Sequence, residues 1–417
     1  MESICKLTQQ IEQRSGHIVT VFVVLTIVLG TAYSIYLGDE LRFLPDEADY
    51  VSLAENVAQL GRYSLDGYNP TAFRPPGYPL VLVPVAYLKV GVVGFRVLNF
   101  VLLGGCIYLV SLILREQSTR FSAVIGAGLV FLYPVLFYTA GTLYPQTLAA
   151  LLFLILLYNV TKKKHPMHSY LIAGISAGLL CLTTPTAIFI VGVSTLWVFL
   201  TANKKISHRL LVFLLSTLVV IGAWTVRNYL AFEDLIPVST NSGENLLVGN
   251  SENSSPNSGR TTDISKYEQA TGELNEVEKD RYHRNAALTY IQANKLAVVK
   301  LYSQKFLNYF NYQNRLVTAE EETQLRDILM LISYGILLGF FILRIFLLKR
   351  YPPTAFELLI IFIYLLNALI TAIFFTRIRF RLPYDYLLII NAAIVVDMFT
   401  MKYIGRGQKS PYNAVCE

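Results

Sequence analysis

Long apolar runs separated by short polar breaks dominate this chain. Candidate spans fall at about 18–37, 95–114, 121–139, 142–160, 170–183, 186–201, 209–226, 327–348, 355–375 and 384–401. A bilayer core of about 30 Å needs roughly twenty apolar residues of helix. The pattern therefore predicts an all-α polytopic membrane protein with about ten transmembrane helices. Two runs, 170–183 and 186–201, are short and have basic flanks. A turn at Thr183, Thr184 and Pro185 lets them go out and return, with proline ending one helix and opening the next.

The run "GYPLVLVPVAYLKVG", 77–91, is apolar as well. If it crossed the bilayer, every later loop would change sides and "TKKKHP" would face outward. Lysines gather in "TKKKHP", "NKKISHR" and "LLKRYPP", and the positive-inside bias makes 77–91 a shallow, interfacial or re-entrant element. Both termini then lie inside, and 38–94, 228–326 and 376–383 lie outside. The first run is too long for a signal-peptide core and lacks a small-residue cleavage site, so it reads as an uncleaved helix. Three parts follow: a membrane module over 1–227 with its outer loop 38–94, an outer segment 228–326 that is loop and then helical, and C-terminal membrane helices over 327–417.

Composition narrows the function. The chain is 54% hydrophobic and only 15% charged, which excludes an ordinary soluble domain. The net charge of +7 resides largely in the inner loops, so nucleic acid is not an expected partner. Cys106 and Cys181 lie in apolar runs, Cys5 and Cys416 near the termini, and none in 228–326; no disulfide framework is expected. No Gly-rich phosphate loop is present.

Against this sparse charge, a few polar groupings stand out. Asp46, Glu47 and Asp49 follow the first span directly. Beyond them Tyr50, Leu53, Ala54, Val57 and Leu60 recur at helical spacing up to Gly61. This predicts a short amphipathic helix over 48–60 on the membrane surface, capped at its N-terminus by one of the acids. "NPTAFRPPGYP", 69–79, sets Arg74 before two prolines, a stiff extended stretch that offers a cation beside the acids. In "FFTRIRFRLPYDY", Arg377, Arg379 and Arg381 alternate with Ile378 and Phe380. An extended backbone before Pro383 puts all three on one face, and arginine suits multidentate binding of phosphate. The plainer alternatives are snorkelling to head groups or pairing with Asp385. "AWTVRNY" places Trp224 and Arg227 at another outward helix end, and Tyr144 and Gln146 sit at the outer end of the fourth helix. His283 is isolated and reads as a surface residue.

Transfer from a lipid phosphate needs a base for the acceptor hydroxyl and cations for the departing phosphate. Asp46 fits the first need and the arginines the second. A divalent ion bridging Asp46 or Glu47 to phosphate is compatible with hard oxygen ligands, though nothing requires one. A lipid or solute transporter or flippase explains the helices and outward arginines equally well, but predicts charged or broken helices at the midplane. A lipid-binding subunit without chemistry would tolerate loss of Asp46.

Taken in order, "PDEADY", "RPPGYP", "WTVRNY" and "RFRLP" resemble the GT-C glycosyltransferases, integral-membrane enzymes that use polyprenyl-phosphate sugars. The likeness is nearest to the protein O-mannosyltransferase and lipid A aminoarabinose transferase branch, and covers most of the chain. It implies catalysis by Asp46 with Glu47 adjacent. It also implies a lipid-phosphate site at Arg377, Arg379 and Arg381. By their positions Arg74, Tyr78, Tyr144, Gln146 and Arg227 are further candidates for binding substrate, with ordinary packing the alternative for Tyr144 and Gln146. Inversion at the anomeric centre is implied, with a glycan, lipid or protein acceptor offering a hydroxyl or phosphate. So is a bacterial inner membrane with the site facing the periplasm. Two positions depart from the family: Gln146 stands where relatives often carry an acid, and Thr184 where they often carry arginine before proline.

Overall fold

The computed structural model describes residues 2–42, 44–164, 166–201, 206–259, 261–313 and 324–403. The chain opens with α1 (Glu2–Leu37), followed by α2 (Asp46–Leu60) and α3 (Gly77–Tyr87). A run of apolar helices comes next: α4 (Gly91–Gln117), α5 (Arg120–Leu132), α6 (Pro134–Ala140), α7 (Gln146–Thr161), α8 (Met167–Thr183), α9 (Ile188–Thr201) and α10 (Ile206–Phe232). Four helices build the outer segment: α11 (Ser242–Gly249), α12 (Ser265–Ala270), α13 (Glu276–Ala293) and α14 (Lys295–Tyr309). The chain returns through α15 (Gln324–Leu347), α16 (Ala355–Ile373) and α17 (Ile378–Tyr403).

Every predicted span coincides with one of these units. Among the described residues six helices are long and apolar enough to cross a bilayer, and α5 with α6 makes a seventh, bent by 60°. The helices α7, α8 and Pro185–Thr201 are apolar but shorter. The protein is a multi-pass membrane protein. The bend within 121–139 was not expected; it lies at Tyr133, whose backbone is extended ahead of Pro134. The helix α3 has 11 residues with Pro84 inside it, too few to cross.

Two local expectations are corrected. The acids do not flank α2 but lie in its first turn, and Pro45 at the cap position makes no side-chain cap bond. At the other end Gly61 takes the left-handed conformation, φ 67°, its N–H donating to the carbonyl of Val57 and that of Arg62 to the carbonyl of Asn56. The stretch around the three arginines is not extended: α17 starts at Ile378 and carries Pro383 inside it. Pro383 lies past the first turn, where proline removes a backbone bond and crowds the carbonyl four residues earlier; the Arg381–Asp385 pair, 3.0 Å apart and four residues apart on the helix, favours the helical course.

The helix α17 is the axis of the packing. Leu387, Leu388, Ile389, Ile390, Ala392 and Ala393 are all within 1% of full burial, so this helix meets protein on every side. By contrast α1, α10 and α15 leave Val24, Val28, Leu218, Val219 and Ile332 exposed, as faces turned to lipid would be. Near the outer end of α17, Arg381 and Asp385 organise four neighbours. Asp385 accepts from Tyr133 at 3.0 Å, and Arg381 donates to the carbonyls of Tyr309 at 2.9 Å and Asn311 at 2.8 Å. The guanidinium also lies 3.5 Å from the centre of the Tyr334 ring. A second buried pair, Arg344 with Glu357 at 2.6 Å, fastens α15 to α16. Removing one partner of such a pair strands the other charge, so Asp385→Ala should lower stability by roughly 3–5 kcal/mol. Thermal unfolding of the purified protein measures this, and an unchanged melting temperature would contradict the arrangement.

Candidate active site

The first turn of α2 puts Asp46 and Asp49 three residues apart on one helix face, towards the stretch that carries Arg74. That cation closes on both: Nη2 donates to Asp46 Oδ1 at 2.7 Å, and Nε and Nη2 donate to Asp49 Oδ2 at 3.0 and 2.7 Å. Its guanidinium also lies over the rings of Phe73 and Tyr50, 5.1 and 5.6 Å from their centres. The second oxygen of Asp46 accepts from Arg379 Nη1 at 2.9 Å, a contact spanning 333 residues of chain. Arg379 stacks on Tyr144 at 4.9 Å, and the Tyr144 hydroxyl is hydrogen-bonded to Asp46.

Arg377 stands beside Arg379 and spends its Nε on the carbonyl of Ser258 at 3.0 Å. Its two terminal nitrogens have no partner among the described residues, and the buried Nε of Arg379 has none either. The electrostatics follow. Burial alone would raise the Asp46 carboxyl, but Arg379 and Arg74 outweigh it and hold the group below the usual carboxylate range. Burial, and then the positive charge of Arg379, pull Arg377 below its ordinary value. Two neighbouring guanidiniums with unmet donors are an arrangement that can accept an anion.

The other sequence candidates support this centre without joining it. Glu47 is 1% exposed, and its oxygens accept the N–H groups of Arg42 at 2.7 Å and Leu143 at 2.8 Å, which fixes the strand of chain that presents Tyr144. Tyr78 is buried edge-on against Tyr50 and shares hydrogen bonds with Asn99. Arg227 donates to the carbonyls of Thr71 at 2.8 Å and Tyr63 at 3.0 Å and stacks on Trp224 at 4.9 Å, bracing the stretch that leads to Arg74. Gln146 begins α7 and is buried with its Oε1 unpartnered. His283 is buried rather than on the surface.

The three alternating arginines do not share a face. Successive residues of a helix turn by about 100°, so Arg381 points away from Arg379 into the bundle, where Asp385 engages it. The pairing with Asp385 is what Arg381 does. Arg379 and Arg377 are the members left half-buried near Asp46.

Asp46 and Glu47 are engaged by protein donors in this arrangement. Each oxygen of the pair already accepts from a guanidinium or a backbone amide. The described residues hold no cluster of three or more His, Cys, Asp or Glu able to ligate a metal.

No protein-family model matches the chain. No curated protein matches it either. Among solved structures it is similar to ArnT from Cupriavidus metallidurans bound to undecaprenyl phosphate, with 12% identity and a TM-score of 0.45 over 93% of this chain and 79% of that one. It is also similar to the oligosaccharyltransferase AglB from Archaeoglobus fulgidus in complex with an inhibitory peptide and a dolichol-phosphate, with 13% identity and a TM-score of 0.44. Both are GT-C proteins. The chain spans about half of the archaeal protein, 51%, and 93% of its own length is covered. At this level of identity and superposition, likeness does not extend to chemistry.

Because the folded Asp46 carboxyl titrates below its unfolded value, its pairing contributes fully above about pH 4 and is lost as the pH falls through the folded value. Melting curves of wild type and Asp46→Asn should therefore differ at pH 7 and converge as the pH is taken below about 4. A constant gap would show that the ion pairs contribute nothing.

Proposed function

We propose that this protein is a membrane glycosyltransferase that moves a sugar from a polyprenyl-phosphate donor to an acceptor at the outer face. The observation that carries this reading is the pair Arg379 and Arg377, with spare donors, beside the ionised Asp46 at the outer start of α17. A lipid phosphate reaching this point from the bilayer would meet both guanidiniums at once. Direct displacement then inverts the anomeric carbon, and the electron pair of the broken bond goes to the phosphate oxygen. Fixed cations that meet this charge lower the barrier because they need no reorganisation.

The sequence casts Asp46 as the base. Its two guanidinium partners favour a different contribution: a carboxylate that stays ionised holds Arg74 and Arg379 in place, and offsets positive charge developing at the anomeric carbon. The family resemblance places such enzymes in a bacterial inner membrane with the site towards the periplasm, and the outer loop and outer helices of this chain are consistent with that orientation. A transporter would need charge along a midplane path. The ionised groups of the described centre instead gather at one end of the bundle, which favours transfer chemistry.

Undecaprenyl phosphate at about 100 times its dissociation constant should add roughly 2.7 kcal/mol to stability, read as a melting shift. The shift should vanish in Arg379→Ala and shrink in Arg377→Ala. Asp46→Asn should fold and lose at least about 10²-fold in transfer. Absence of any shift in the wild type would overturn the phosphate site, and near-normal turnover by Asp46→Asn would remove Asp46 from the reaction.

A further inference from the structure

The outer helix α11 roofs the candidate site. Just before it, Thr240 donates its N–H to the carbonyl of Ala72 at 3.0 Å, two residues from Arg74. Its start is tied to α13, where Asp280 accepts from the N–H of Gly243 at 2.5 Å and from Ser242 at 3.2 Å. Its far end is tied to the chain just ahead of the arginines. Asn250 donates to the carbonyl of Ile373 at 2.9 Å, and Lys305 donates to Gly249 at 2.6 Å. The helix therefore runs from beside Arg74 to beside Arg377.

One side of α11 faces inward. Leu247 and Val248 pack in a cluster with Phe374, Phe375 and Phe380, which flank Arg377 and Arg379. Glu244 precedes them by three and four residues and shares their face. It is half-buried, in the first turn of the helix, and within electrostatic reach of Arg74 and Asp46. Among the described residues its carboxylate has no hydrogen bond and no ion pair. A carboxylate without a donor, partly withdrawn from water and within electrostatic reach of Arg74 and Asp46, can accept from a substrate hydroxyl.

We infer that Glu244 is the catalytic proton acceptor of this site, while Asp46 remains ionised between its arginines. The inference rests on the transferase reading above. The acceptor O–H gives its proton to Glu244, and the oxygen lone pair forms the new bond to the anomeric carbon. The bond from that carbon to the phosphate oxygen breaks, and its electron pair stays on the phosphate at Arg379 and Arg377. Glu244 then returns the proton to water.

The surroundings agree. Burial, the largest influence, raises the Glu244 carboxyl above its ordinary value; Arg74 opposes this, while Glu268, Asp46 and Asp280 add to it. Asp46 is shifted the opposite way by its two guanidiniums. Carboxyl groups whose environments push them apart divide such roles, the raised one moving the proton.

The test uses full-length protein in lipid nanodiscs and a panel of undecaprenyl-phosphate-linked hexoses, following release of undecaprenyl phosphate. Glu244→Gln should lose at least about 10²-fold in kcat while keeping the melting shift with undecaprenyl phosphate. The acidic limb of the wild-type pH profile should disappear in Glu244→Gln and persist in the residual activity of Asp46→Asn. Formate should restore part of the activity of Glu244→Ala, which a merely structural role would not allow. Turnover of Glu244→Gln within about threefold of wild type, or rescue by formate of Asp46→Ala instead, would overturn the inference alone. A wild type that neither binds undecaprenyl phosphate nor releases it from any donor would overturn the transferase reading and this inference together.

Discussion

The link between Asp46 and Arg379 holds the site together. It joins the first outer loop to the last membrane helix, groups 333 residues apart in the chain. Arg74 closes on Asp46 from the other side, so one carboxylate fixes two cations that arrive on separate elements. Much of the surrounding structure serves that junction. Arg96, fully buried, donates to the carbonyls of Gly38 and Glu40 at 2.5 Å and of Gly141 at 3.1 Å, setting both ends of the outer loops that meet there. Glu47, Tyr78 and Arg227 hold the Tyr144, Tyr50 and Arg74 stretches in turn.

Charge is divided between locking and binding. Arg381 and Asp385 are a buried lock with their donors and acceptors met by tyrosines and carbonyls. Arg344 and Glu357 do similar work at the other end of α15 and α16. A buried ion pair is tolerable only when its geometry is good and its remaining groups are met, and both pairs satisfy most of them. Arg377 and Arg379 differ because part of their hydrogen-bonding capacity is unmet among the described residues. Under the proposed reading a phosphate would meet those donors, and α11 packs on Phe374, Phe375 and Phe380, which flank the two arginines.

Hydrophobic length and charge bias determined the membrane character and the positions of the apolar helices, because each is a property of a contiguous stretch. The grouping of Asp46 with Arg74 was also legible, since a cation before two prolines shares one loop with the acids. Gly61 ended α2 as its position foretold. The tertiary structure decided the rest. Whether alternating arginines share a face depends on the backbone there, and α17 continues through Pro383 because Arg381 finds Asp385 one turn on. The separate duties of Asp46 and Glu47 depend on amides and guanidiniums supplied from distant segments. Glu244 lies in a Ser-, Asn- and Gly-rich stretch that reads as loop, and only the anchoring of α11 to Ala72, Asp280 and Ile373 brings its helix beside the segments that carry Arg74 and Arg377. Local pattern specifies what a segment can bury; which charge faces which is settled by contacts that no local window contains.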